Sequence, residues 1–339
     1  MSGIGQMMLS ARTRFNFVAV AHANSPYVTV YPFSVSGFGV KYSDPSTTPT
    51  GTGSSVTFSH NANVIAVAHG TSPYITAYPW DVINGFGAKY SDPSSLPSIT
   101  GDDVAFSPSN DYVAVSYGGT PFISVYPWSA GFGAKVSDPA TLPNGGGNGV
   151  CFSPLGDYIA VAHNTSPYVS VYPWSAGFGA KVSDPATLPV GGGIGVTFSP
   201  SGTDIAVAHG NTPFISVYHW SAGFGSKYSN PGTLPAGAAF KVAFSPSGTD
   251  IAVAHTSSPY VSVYPWSAGF GAKYPNPGTL PTGDGKSVAF SGDGRNIAVA
   301  HNTSPYVSVY PWSAGFGPKY PNPVNLPTGN GKGVAFGYL

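Results

Sequence analysis

Six histidines, His22, His69, His163, His209, His255 and His301, occupy one position of a repeated phrase, and Tyr117 takes that position in the remaining copy. Imidazoles bind transition metals and exchange protons near neutral pH, so a ring of them raises a metal or acid–base reading. The phrase around them, as in Tyr158–His163 (YIAVAH), alternates large and small residues like a strand. Neighbouring strands lie about 4.8 Å apart, while Zn–N bonds are about 2.0–2.1 Å, so histidines from separate copies do not gather on one ion. The reading is a strand-end imidazole hydrogen-bonded to nearby backbone or hydroxyl groups, with no metal and no cofactor implied. Other catalytic signals are missing: the chain has no HExxH, GxSxG, CxxC or EF-hand pattern and no Glu. "LPTGDGKS" at Leu280–Ser287 ends like a phosphate-binding loop, but Leu280 stands where the first Gly is needed, and the segment feeds a strand.

A second constellation is aromatic. Trp80, Trp128, Trp174, Trp220, Trp266 and Trp312 close the third strand of their copies, with Phe33 in the first. A Phe follows each within a GFG turn, from Phe38 to Phe316. Packing between copies is the default role for such side chains, and a repeated platform for sugar rings is the functional alternative. Three positions beyond each Lys after the turn stands an Asp (Asp44, Asp92, Asp138, Asp184) or an Asn (Asn230, Asn276, Asn322). Where Asn replaces Asp, the lysines Lys227, Lys273 and Lys319 are expected to lose an ionic partner and leave a positive arc. The candidate ligand-binding residues are therefore the six tryptophans and these three lysines.

These side chains are spaced by the chain's organisation. The proline of an [ST]-P-[YF] phrase recurs at Pro26, Pro73, Pro121, Pro167, Pro213, Pro259 and Pro305, giving seven copies of 46–48 residues. Within one copy, "GVCFSP" (Gly149–Pro154), "YIAVAH" and "YVSVYPW" (Tyr168–Trp174) read as strands joined by turns, and "AKVSDPATLP" reads as a proline-broken fourth. This predicts an all-β fold, a seven-bladed β-propeller of four-stranded antiparallel blades. The first copy has "LSART" (Leu9–Thr13) where others have "VAFSP", while "GKGVAF" (Gly331–Phe336) opens a copy that never continues. The spacing thus predicts closure by N- and C-terminal strands sharing one blade. The domain reading is an N-terminal segment, 1–14, as an anchor, followed by a single propeller domain over 15–339.

With 13 basic and 13 acidic residues and 8% charged overall, nothing in bulk charge steers nucleic acid. No apolar run reaches the roughly 18 residues of a membrane span, and "MSGIGQMMLSARTR" lacks the apolar stretch of a signal peptide. Cys151, alone in the chain, sits where other copies place Ala or Thr.

The order "VAFSPSG", "IAVAH", "YVSVYPW", turn and outer strand resembles the WD40 and YVTN type of β-propeller from Phe15 to Phe336, without the Gly-His and Trp-Asp dipeptides of eukaryotic WD40 scaffolds. The phrase running through "SPYVSVYPWSAGFGAK" is also similar to repeats of tailed-bacteriophage virion proteins. That resemblance implies a non-catalytic virion protein of tail or capsid that decorates the particle or engages a host-surface glycan. It implies contact with other virion proteins through Met1–Arg14 and a virion location after synthesis in the host cytoplasm. A multivalent glycan-binding lectin and an intracellular protein-interaction scaffold are the alternatives. An enzyme ranks last, because the copies look interchangeable and a propeller enzyme must bring unlike residues to one place.

Overall fold

The computed structural model describes residues 16–338. The segment read as an anchor, Met1–Arg14, and the strand slot Leu9–Thr13 lie outside the described residues. Seven antiparallel sheets form the blades of a closed propeller. Blade 4 shows the pattern: Gly147–Phe152, Tyr158–His163 and Val169–Pro173 pair in succession from the axis outward. Blade 1 takes its inner strand, Gly331–Tyr338, from the far end of the chain and lays it against Asn16–His22, with Val20 opposite Val334. Pairing the two ends leaves no blade with an open inner edge, which is the physical reason for the latch.

The alternation in the second strand decides how blades stack. In blade 4, Ile159 and Val161 face blade 3 beside Ile123 and Val125, while Ala160 and Ala162 face Val196, Ile205 and Val207 of blade 5. The second strand of each blade thus turns bulky residues to its predecessor and small ones to its successor, and third-strand residues such as Val169 and Val171 fill the rest of the joint.

An aromatic seat completes each joint. The third-strand Trp of one blade receives a ring from the blade before: Tyr228 meets Trp266 at 5.1 Å and Tyr112 meets Trp174 at 5.2 Å, both edge-on. The ring comes from two different places. In blades 3 and 4 it stands on the second strand, as Tyr112 and Tyr158, and the outer position carries Val136 and Val182. In blades 5 and 6 the outer position supplies Tyr228 and Tyr274, whose hydroxyls donate to Asp204 and Asp250 at 2.7 and 2.8 Å. One volume is filled from either side.

The fourth strand departs from expectation. Its pairing is with the GFG turn: two residues in blades 1 and 2, four in blade 5, and a single bridge such as Trp174 to Phe178 elsewhere. Beyond the turn, Val182 still donates its N–H to Val171 at 2.8 Å, but no ladder continues. The following Asp-Pro and Leu-Pro steps remove the donors a ladder would need.

Candidate functional site at the axial mouth

Every inner strand opens with a β-bulge. In blade 5 the register passes from Gly193 opposite His209 to Gly195 opposite Ala208, leaving Ile194 as the extra residue, and the same shift recurs at Ser54, Asp102, Asn148, Phe240, Lys286 and Lys332. A bulge re-aims the side chains beside it, and here these residues surround a cavity of about 720 Å³ at one end of the axis. Six of the seven strands open on glycine, and a Cβ on Gly193 would lie 2.2 Å from the Tyr168 carbonyl oxygen of the preceding blade, while blade 6 accommodates Ala239 at the same place.

Around the axis the bulge residues run Lys332, Ser54, Asp102, Asn148, Ile194, Phe240 and Lys286 from blade 1 to blade 7, with no type shared by more than two blades. The next position adds Ser55, Asp103, Lys241 and Ser287. Unlike side chains therefore converge where seven near-identical blades meet.

Asp103 is the hub. Its side chain is 4% exposed. It accepts from Ser55 Oγ of blade 2 at 2.7 Å, from the Val150 N–H of blade 4 at 3.1 Å and from Lys241 Nζ of blade 6 at 2.5 Å. The lysine spans the axis to make that contact, which supplies the pairing a buried carboxylate requires. Lys286 Nζ lies 3.2 Å from Asp284 and 4.0 Å from the centre of the Phe240 ring. Asp102 has its carboxyl raised to about 6, first by burial and then by the neighbouring Asp103 charge, with Lys332 opposing. Among the described residues neither Asp102 nor Lys332 has a hydrogen bond or ion-pair partner, so both groups are available to a ligand.

The residues singled out from sequence lie elsewhere. Each of the six histidines is 0% exposed and hydrogen-bonds through Nε2 to a third-strand hydroxyl, as His163 does to Ser170 at 3.0 Å. Burial lowers all six to about 4, so they are neutral, and no ligand reaches them. Among the described residues no group of three His, Cys or Asp side chains could hold a metal ion. Trp80, Trp128, Trp174, Trp220, Trp266 and Trp312 are 5–8% exposed and packed between blades. Lys227 donates to Asn230 Oδ1 at 2.5 Å, and Lys273 and Lys319 bond Asn276 and Asn322 in the same way. The neutral amide oxygen occupies the carboxylate's place, so among the described residues these three lysines keep a hydrogen bond there without the ion pair that Lys41, Lys89, Lys135 and Lys181 make. None of the six tryptophans or three lysines lines the axial cavity.

The sequence held one usable signal. Apart from the seven repeat lysines the chain has only Lys241, Lys286 and Lys332, and all three line this cavity. They fall in the dipeptide after each strand-opening residue, which varies in every copy while its flanks repeat.

No family model and no curated protein sequence matches the chain. Solved structures do. A candidate 6-phosphogluconolactonase from Bacteroides fragilis is similar over 95% of this chain and 98% of its own, with a TM-score of 0.76 at 10% identity. The periplasmic gluconolactonase of Pseudomonas aeruginosa matches over 96% and 99%, with a TM-score of 0.72 at 17% identity. A Lactobacillus plantarum protein matches over 95% and 99%, with a TM-score of 0.70 at 16% identity.

At these identities the likeness concerns the fold, and it corrects the resemblance stated above: the chain is matched to lactonase-type propellers, not to WD40, YVTN or phage virion repeats. The virion location and the virion partners through Met1–Arg14 fall with that resemblance, and one matched protein is periplasmic. The lectin alternative loses its platforms, since the tryptophan faces are buried in the joints. The scaffold alternative and the non-catalytic expectation rested on interchangeable copies, and at the axial mouth the copies are not interchangeable.

Proposed function

We propose that the chain is a hydrolase that opens a lactone ring at the axial mouth. The observation carrying this reading is the arc Lys332, Ser54 and Asp102 on three adjacent blades: a free cation, a free hydroxyl and a carboxyl that titrates near neutrality. Two of the matched propellers, a gluconolactonase and a candidate 6-phosphogluconolactonase, support the same chemistry.

Above its pKa, Asp102 is a base of useful strength for a water held beside it. The water oxygen bonds to the lactone carbonyl carbon as its proton passes to Asp102. Negative charge gathers on the carbonyl oxygen, where the Lys332 ammonium and the Ser54 hydroxyl offer donors. Collapse breaks the bond to the ring oxygen, which takes the proton back from Asp102 and leaves a hydroxy acid. Burial first, and then the neighbouring Asp103 that Lys241 holds in place, raise the Asp102 carboxyl toward the working pH.

Proton release from glucono-δ-lactone, measured against spontaneous opening, tests the reading. The protein is expected to accelerate it, with kcat/KM falling as pH drops below about 6. Asp102→Asn should cost about 10²–10⁴-fold; the fold tolerates it, since Asn148 holds the equivalent place in blade 4. Full activity in Asp102→Asn, or no acceleration of any lactone, whether an aldonolactone or an aryl lactone, defeats the proposal.

A further inference from the structure

The axial mouth has two unlike halves, and their placement bears on what fills it. Lys332, Ser54 and Asp102 belong to blades 1, 2 and 3, whereas Ile194 and Phe240 belong to blades 5 and 6. In a ring of seven the midpoint between blades 5 and 6 lies diametrically across from blade 2, so a polar arc faces one whose bulge residues are apolar, with Asn148 and Lys286 at the two junctions and Lys241 of blade 6 drawn across the axis to Asp103. The glycines Gly192 and Gly210 lie on the apolar side and leave it open.

The charges are already spoken for. Lys241 is held by Asp103, and Lys286 lies between Asp284 and the Phe240 ring. Among the described residues lining the cavity only Lys332 is a cation without a carboxylate partner, and Asp102 stands on the same arc. A phosphate dianion would meet one free lysine and an opposing carboxylate, whereas anion sites commonly present several convergent donors. The cavity, about 720 Å³, lies in the upper part of the roughly 300–1,000 Å³ span of small-molecule sites, and a single sugar ring leaves much of it empty.

We infer that the axial mouth takes an uncharged lactone carrying an apolar ring or chain, seated with that portion on Ile194 and Phe240 and its carbonyl toward Lys332, Ser54 and Asp102. This rests on the hydrolase reading for the chemistry, but the binding claim stands apart from it. Ile194 becomes a specificity-determining residue, because it is the aliphatic member of a position that is Asn148 one blade earlier.

Calorimetry with dihydroquinolinone, the lactam counterpart of the aryl lactone dihydrocoumarin, reads binding without turnover. The intact protein is expected to bind it more tightly than 6-phosphogluconate. Ile194→Asn, which copies a residue the fold already carries, should weaken it about tenfold, with circular dichroism and melting as in the parent. Lys273→Gln on the outer rim serves as the control and should leave the affinity unchanged. Absence of lactam binding, an affinity indifferent to Ile194→Asn, or tighter binding of 6-phosphogluconate overturns the inference. Lactam binding without hydrolysis of dihydrocoumarin or glucono-δ-lactone would sink the hydrolase reading alone; glucono-δ-lactone turnover without lactam binding would sink this inference alone.

Discussion

Replacing His163 by Tyr should make the propeller less sensitive to acid, and the size of the effect follows from burial. His163 is 0% exposed, bonded to Ser170 at 3.0 Å, and lowered from 6.5 to about 4. In the unfolded chain the same imidazole charges as pH falls through about 6.5. Between that pH and about 4 the unfolded state therefore binds the extra proton, and stability falls with pH across this window. At about pH 5 the loss is about 2 kcal/mol for one such histidine. Six of them are placed alike, so the sum is on the order of 12 kcal/mol, comparable with the whole stability of a typical domain. Blade 3 supplies the replacement, since Tyr117 sits in the histidine's place and reaches Ser124 at 2.7 Å. Urea unfolding at about pH 7.5 and about pH 5 should show the stability difference shrinking by about 2 kcal/mol in His163→Tyr. An unchanged difference would mean that the imidazole is charged in the folded protein, and the reasoning from burial would fail.

Tyr228→Val should cost about 3 kcal/mol in urea unfolding, because it empties the seat beside Trp266 and removes one of the donors to Asp204, which keeps those of Thr203 and Trp266. Adding Asp204→Tyr, which recreates the Tyr158 and Val182 arrangement of blade 4, should restore most of that loss, and no recovery would refute the two-sided seat. Lys241→Met should destabilise by about 3–5 kcal/mol by leaving Asp103 buried and unpaired; adding Asp103→Asn should recover much of it, and a neutral single variant would count against the hub. Ending the chain at Asn330 removes the inner strand of blade 1 and should give an aggregating protein with a lower Tm; an unchanged, soluble monomer would disprove the latch.

The repeat phrases by themselves determined the blade count, the strand order and the closure of blade 1 by Gly331–Tyr338, because period-two alternation and turn chemistry act over a few residues and are written out seven times. Local signals also misled where proline decides. "AKVSDPATLP" has strand-like residues, but its prolines end the ladder at the GFG turn. Histidine and tryptophan drew attention as a functional pattern because they recur, yet recurrence in a propeller marks the joints between blades, where every wedge needs the same filling.

The site is written in the opposite way. Ser54, Asp102, Asn148, Ile194, Phe240, Lys286 and Lys332 are separated by about one repeat each and were visible only as departures from the pattern. No local rule says that seven such departures share one cavity. Ring closure brings them together, the bulge at the head of each inner strand aims them, and the pairing of Lys241 with Asp103, 138 residues apart, exists only once blades 3 and 6 face each other across the axis. Short-range physics thus built the wedges, while the chemistry at their meeting point depends on long-range geometry that only the folded ring supplies.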